Sequence, residues 1–169
     1  MLACRSATVI FFAFIFLPAG CQNFRPCSSD SACGSGDFIP AQVRLQPSFT
    51  QIIESDESAG KPDSIIAYVE IKDQFGDPIK TLGTFRFEIF KYRPAFSDPR
   101  GQRFPNRGIQ EVNLSQLSVN QQHWDSSTRT YKIPLLLPPL PENLKRIVLQ
   151  VTFTIGPDYR LQNYITLER

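Results

Sequence analysis

Residues 146–155 read Arg146-Ile147-Val148-Leu149-Gln150-Val151-Thr152-Phe153-Thr154-Ile155, and their alternation decides the fold class. Successive side chains of a strand point to opposite faces, so Ile147, Leu149, Val151, Phe153 and Ile155 share one apolar side. Gly156-Pro157-Asp158-Tyr159 then turns the chain, since proline pre-sets the backbone angle a turn requires, and 160–167 is expected to pair back. Upstream, Pro138-Pro139-Leu140-Pro141 reads as a rigid crossover. Before it, 129–137 directs Tyr131, Ile133, Leu135 and Leu137 inward. Pro134 has no N–H to give to a sheet, which predicts an edge position for that strand.

The same period of two recurs towards the N-terminus. It places Ala41, Val43 and Leu45 on one face of 41–46, Ile65, Ala67, Val69 and Ile71 on one face of 65–72, and Phe85, Phe87 and Ile89 on one face of 84–92. Phe90 and Tyr92 imply that the second face of 84–92 is partly covered as well. Shorter strands are expected at 49–54 and 109–114. The stretch 93–108 holds Pro94, Pro99, Gly101 and Pro105 and is expected to be irregular. Ser118-Val119-Asn120-Gln121 fits a capping box and predicts a single helical turn ending near His123. Seven or eight short strands, broken by Pro- and Gly-rich turns and without a long helical period, predict an all-β fold: an antiparallel β-sandwich of immunoglobulin-like or C2-like type over 38–169.

The chain has 169 residues. Arg5 precedes an apolar run from Ala7 to Leu17, and Pro18-Ala19-Gly20-Cys21 closes it. A basic start, a run too short to span a bilayer and small residues at the end make a secretory signal. The segment resembles a bacterial lipoprotein signal: Ala19, Gly20 and Cys21 match the lipobox, whose leucine here stands at Leu17 with Pro18 between. The resemblance implies a signal peptide over 1–20, a diacylglycerol on Cys21, and a Ser-, Gly- and Pro-rich tether over 21–37. Gln22 in place of aspartate implies sorting to an outer membrane or a periplasm-facing position. Two acyl chains suffice for lasting attachment where one is marginal.

Of four cysteines, Cys4 leaves with the signal and Cys21 carries lipid, so Cys27 and Cys33 remain as one pair in an oxidising compartment. They are expected to be bridged, restraining the tether by about 2–3 kcal/mol; two free thiols are the alternative for so short a segment. Loss of Arg5 with the signal lowers the 18 basic residues to 17 against 16 acidic ones, and this near balance argues against nucleic acid as a partner.

Three clusters are candidate sites. If consecutive strands run antiparallel, the turns carrying Asp73 and Asp77, then Asp125, then Asp158 fall at one end of the sandwich, where carboxylates on flexible loops suit calcium. The same aspartates are also ordinary turn chemistry. The opposite end carries 93–108, where Arg93, Arg100, Arg103 and Arg107 are interleaved with Phe96 and Phe104, a composition enriched at interface hot spots. Its phenylalanines tucking into the core is the competing reading. Finally, the single histidine, His123, lies beside Trp124, Asp125, Ser126 and Ser127. A catalytic triad needs its members to converge from separate segments. Trp124 is therefore expected to plug one end of the core while His123 and Asp125 bond loop backbone. No Gly-x-Ser-x-Gly elbow, second histidine or Gly-rich phosphate loop is present.

The run from Trp124 through Tyr131, with Asp73-Gln74-Phe75-Gly76-Asp77 upstream, is similar to uncharacterised planctomycete-type lipoproteins with a β-sandwich domain. That resemblance implies no activity. The sequence thus leads to a non-enzymatic, membrane-anchored envelope lipoprotein that binds or scaffolds a protein or glycan of the envelope. A calcium-dependent carbohydrate- or lipid-binding module is the alternative, and an envelope hydrolase built on His123 the weaker one. Mass spectrometry of protein extracted from native membranes is expected to give an N-terminal peptide that begins at Cys21 with a lipid mass and gains two protons on reduction. An unlipidated start would remove the anchor.

Overall fold

A computed structural model describes residues 38–54, 63–141 and 143–169. Among these residues the sandwich comprises ten strands: β1 (Pro40–Leu45), β2 (Gln51–Ile53), β3 (Ser64–Asp73), β4 (Thr84–Tyr92), β5 (Arg100–Arg103), β6 (Ile109–Asn113), β7 (Trp124–Asp125), β8 (Thr130–Leu136), β9 (Arg146–Ile155) and β10 (Tyr159–Glu168). One helix, α1 (Leu117–His123), precedes β7. Two five-stranded antiparallel sheets form: sheet A in the order β1-β3-β8-β7 with β2 also on β3, and sheet B in the order β10-β9-β4-β5 with β6 also on β4. Among the described residues no helix is long and apolar enough to cross a membrane.

The alternating positions meet between the sheets. Ile65, Ala67, Val69 and Ile71 of β3 and Ile133 and Leu135 of β8 face Phe85, Phe87 and Ile89 of β4 and Leu149, Val151 and Phe153 of β9, all buried. Burial of a large apolar side chain contributes about 1.5–3 kcal/mol, so this layer drives folding. Phe85 sits at its centre, with ring centroids 4.9 Å from Phe153, 5.8 Å from Phe87 and 5.5 Å from Tyr131.

Among the described residues Tyr131 is the one large core side chain with a polar tip, and that tip is fully bonded. Its hydroxyl accepts from Thr81 N at 3.0 Å and lies 3.2 Å from both Thr81 O and Asn120 Oδ1. Asn120 in turn donates to Thr81 O at 2.8 Å and Leu114 O at 3.2 Å. This bonding explains why α1 departs from the capping box expected at Ser118. The helix starts two residues earlier, with Gln116 at its N-cap and no side-chain cap bond, and Asn120 is drawn inward to the tyrosine.

Four further expectations change. Two strands were not foreseen: β7, too short to show a period, and β5, inside the stretch read as irregular. Ala41 is exposed and Pro40 buried, because a bulge between Pro40 and Gln42 shifts the register of β1 against β3. Pro134 is not on an outermost strand by order, yet β7 covers only Thr130 and Tyr131, so β8 is an open edge where the proline stands. Gln110 closes that edge from the other sheet, accepting from Leu136 N at 2.8 Å and donating to Leu136 O at 2.7 Å. Residues 134 and 136 share a parity, so the missing N–H of Pro134 faces the side where no strand could use it.

Removing the Tyr131 hydroxyl tests the bonded tip. Tyr131→Phe is expected to lower unfolding free energy by about 1–3 kcal/mol, since it strands Asn120 and Thr81 in the interior, while Phe85→Ala costs about 3–5 kcal/mol; urea titration measures both. Burial raises the Tyr131 pKa. A raised value makes its share of stability complete below the ordinary tyrosine pKa of about 10 and lost as pH climbs from there through the folded value. The parent is therefore expected to weaken more steeply above pH about 10 than Tyr131→Phe.

Candidate functional site

The turns with acidic residues do share one end. Asp73 closes β3 opposite Pro40, the Tyr159 hydroxyl after the β9–β10 turn donates to Pro40 O at 2.7 Å, and Arg129 beside the β7–β8 turn reaches Pro78 O at 3.4 Å. The carboxylates are engaged locally. Asp73 Oδ1 accepts from Phe75 N and Asp77 N, both at 2.9 Å, around Gly76, whose φ of 92° suits glycine. Its Oδ2 is buried without a hydrogen-bond partner. Asp125 Oδ1 accepts from Ser127 N at 2.9 Å, and that bond holds its carboxyl below the usual range. Among the described residues no three His, Cys, Asp or Glu side chains converge as a metal would require.

His123 Nδ1 donates to Lys132 O at 3.2 Å, and Trp124 stands edge-on to Tyr131 at 5.1 Å with Lys80 Nζ 5.0 Å above its ring. These contacts make the cluster a closure of the β8 edge. Cys21, Cys27 and Cys33 lie outside the described residues.

The arginine-rich stretch divides. At its tip Arg93 stacks on exposed Phe96, 3.9 Å from the ring centroid. Phe104 turns into the core and is removed from any binding surface. Its carbonyl lies where a Cβ on Gly108 would be, so residue 108 must be glycine for the chain to double back. Arg107 occupies the left-handed region at φ 56° and offers its carbonyl to Gln110 Nε2 at 3.2 Å. Arg100 and Arg103, in contrast, are carried by β5 onto the outer face of sheet B.

That outer face carries an ordered set of polar side chains. Register places Arg86 of β4 beside Thr152 of β9 and Glu111 of β6, with Gln162 of β10 next along the row. The neighbouring row reads Glu88, Gln150, Tyr164. Gln150 and Thr152 are buried although they point away from the core, because long side chains roof them. Arg100 Nη1 donates to Gln150 Oε1 at 2.6 Å, its guanidinium lies 5.1 Å from the Tyr164 ring centroid, and Asp98 grips its other edge at 2.8 Å. Glu88 accepts from Arg103 at 2.8 Å and Arg86 at 3.4 Å, and Arg86 also reaches Glu111 at 3.2 Å. Partly exposed pairs of this kind contribute about 0–1 kcal/mol each, so they order the face more than they hold the fold.

Beside this lattice runs a groove of ≈540 Å³. Thr84, Thr152, Thr154 and Gln162 supply hydroxyls and an amide, and Arg86, Glu88, Glu111 and Arg160 supply charge. A second hollow of ≈340 Å³ lies at Glu54, Leu144, Lys145 and Arg169. Sequence reading named only Arg100 and Arg103 of this surface. The signal for the rest was present in the polar positions alternating with the core on β4, β9 and β10, but only register sets them side by side.

Hydrogen bonds from the side chain and backbone of Arg100 hold the Asp98 carboxyl down to about 2. A lowered value keeps the pair intact above the ordinary carboxylate range and breaks it as pH falls towards 2. Carboxyl NMR titration is expected to find the Asp98 midpoint near that value and, in Arg100→Gln, back near the ordinary carboxylate range. No protein-family model matches the chain, and comparison with curated proteins and with solved structures likewise gives no match.

Proposed function

We propose that the chain is a non-catalytic binding module, tethered to a membrane of the cell envelope through lipid on Cys21, with the outer face of sheet B as its working surface. The observation that carries this reading is the roofed polar lattice with its groove, fixed on the five strands of one sheet. Polar groups held in place before binding lose little freedom when a ligand arrives. Groups mounted on strands are also positioned more firmly than groups on loops. His123 and Asp125 support the non-catalytic part, because their hydrogen bonds go to backbone, His123 to Lys132 O of β8 and Asp125 to Ser127 N.

The test sets one face against the other. The detergent-solubilised full chain is expected to retain a component of a native envelope extract. Replacing Arg86→Ala and Gln162→Trp together should abolish retention, whereas Arg44→Ala with Lys132→Ala, on exposed positions of sheet A, should not. Thermal melts within a few degrees of the parent verify folding. Equal retention by both double variants would remove sheet B as the working surface.

A further inference from the structure

We infer that the groove on sheet B binds a short stretch of an acidic polysaccharide, with one anionic substituent paired to Arg160; this rests on sheet B being the working surface. Five arginines lie on or over this face, and four are already paired: Arg86 with Glu88 and Glu111, Arg100 with Asp98, Arg103 with Glu88, and Arg146 with Glu168. Among the described residues Arg160 has no ion-pair partner, and it lines the groove. An unpaired guanidinium beside a charge-balanced lattice attracts a single anionic group, and its planar fork fits a carboxylate or sulfate through two parallel bonds.

The rest of the lining selects the class of ligand. Sugar hydroxyls both donate and accept, and the groove answers with acceptors on Glu88 and Glu111, donors on Arg86, and groups that do both on Thr84, Thr154 and Gln162. Two residues along β10 from Gln162, on the same face, the ring of Tyr164 remains 41% exposed beside the groove. An aromatic ring at that place offers the apolar face of a sugar something to lie on while its hydroxyls are bonded elsewhere. A protein partner would want a buried aromatic or aliphatic anchor at the centre of its footprint, and the lining contains no apolar side chain. Nucleic acid would want a run of unpaired cations. The groove holds one among the described residues.

Affinity electrophoresis and calorimetry of the full chain in detergent, at about 0.15 M salt to screen long-range attraction, test the inference with polygalacturonate, dextran sulfate and uncharged dextran. Binding of polygalacturonate assigns the substituent as a carboxylate, and binding of dextran sulfate as a sulfate. Dextran is expected to bind at least about tenfold more weakly, and Arg160→Gln to weaken the acidic polymer by about tenfold, the worth of one charged hydrogen bond. Arg146→Gln, outside the groove, should stay within about twofold. Equal losses in Arg160→Gln and Arg146→Gln would reduce the effect to diffuse charge and overturn the site. Binding of dextran as tight as that of the acidic polymers would overturn the anionic requirement. No binding of any of the three, with envelope retention still lost in the Arg86 and Gln162 double variant, would overturn the glycan and leave the working surface standing. If that variant retains the envelope component too, both readings fall.

Discussion

The hydroxyl of Tyr131 is the point on which the two layers are fastened. Its ring lies in the core against Phe85 of the opposite sheet, and its oxygen meets the β3–β4 connection at Thr81 and the helix at Asn120. A polar atom at such depth is tolerated only when its bonds are made. The positions of the β3–β4 crossover, of α1 and of the start of β8 are therefore coupled. The chain crosses between the sheets from β3 to β4 and from β6 through α1 to β7, and both connections meet the tyrosine there.

A second constraint acts on β9. As an inner strand of sheet B it is buried on both faces, yet one face carries Gln150 and Thr152. Buried amides and hydroxyls need partners: Gln150 accepts from Arg100 of β5 and donates to Glu88 of the neighbouring β4 and to Thr152. Ordering of the outer face thus follows from burial of the strand beneath it. The groove that we propose as a binding surface is a by-product of the same demand, since roofing one row of side chains leaves the next row as a trough.

Much of the fold was legible in the residues because the period of two is strong where a strand faces a deep core. β3, β4, β8, β9 and β10 lie where their alternation puts them, and Phe90 and Tyr92 are half-buried on the second face as expected. Legibility failed where the backbone departs from the period. A bulge moved Ala41 out of the core, and β5 and β7 are too short to declare themselves against prolines and turns. The phenylalanines of 93–108 could not be told apart by composition: Phe104 is seated by the doubling back at Gly108, and Phe96 is held outside by Arg93.

Sequence by itself determined the class of fold, the inward set of apolar residues apart from Ala41 and the end at which the acidic turns gather, since each follows from local alternation and strand parity. Only the tertiary structure decided the surface that we propose as the site. Arg86, Glu88, Gln150, Arg160 and Gln162 come from three strands up to 76 positions apart in a chain of 169 residues. What brings them into one lattice is the register of β4, β9 and β10, a property of pairing between strands that no single segment carries.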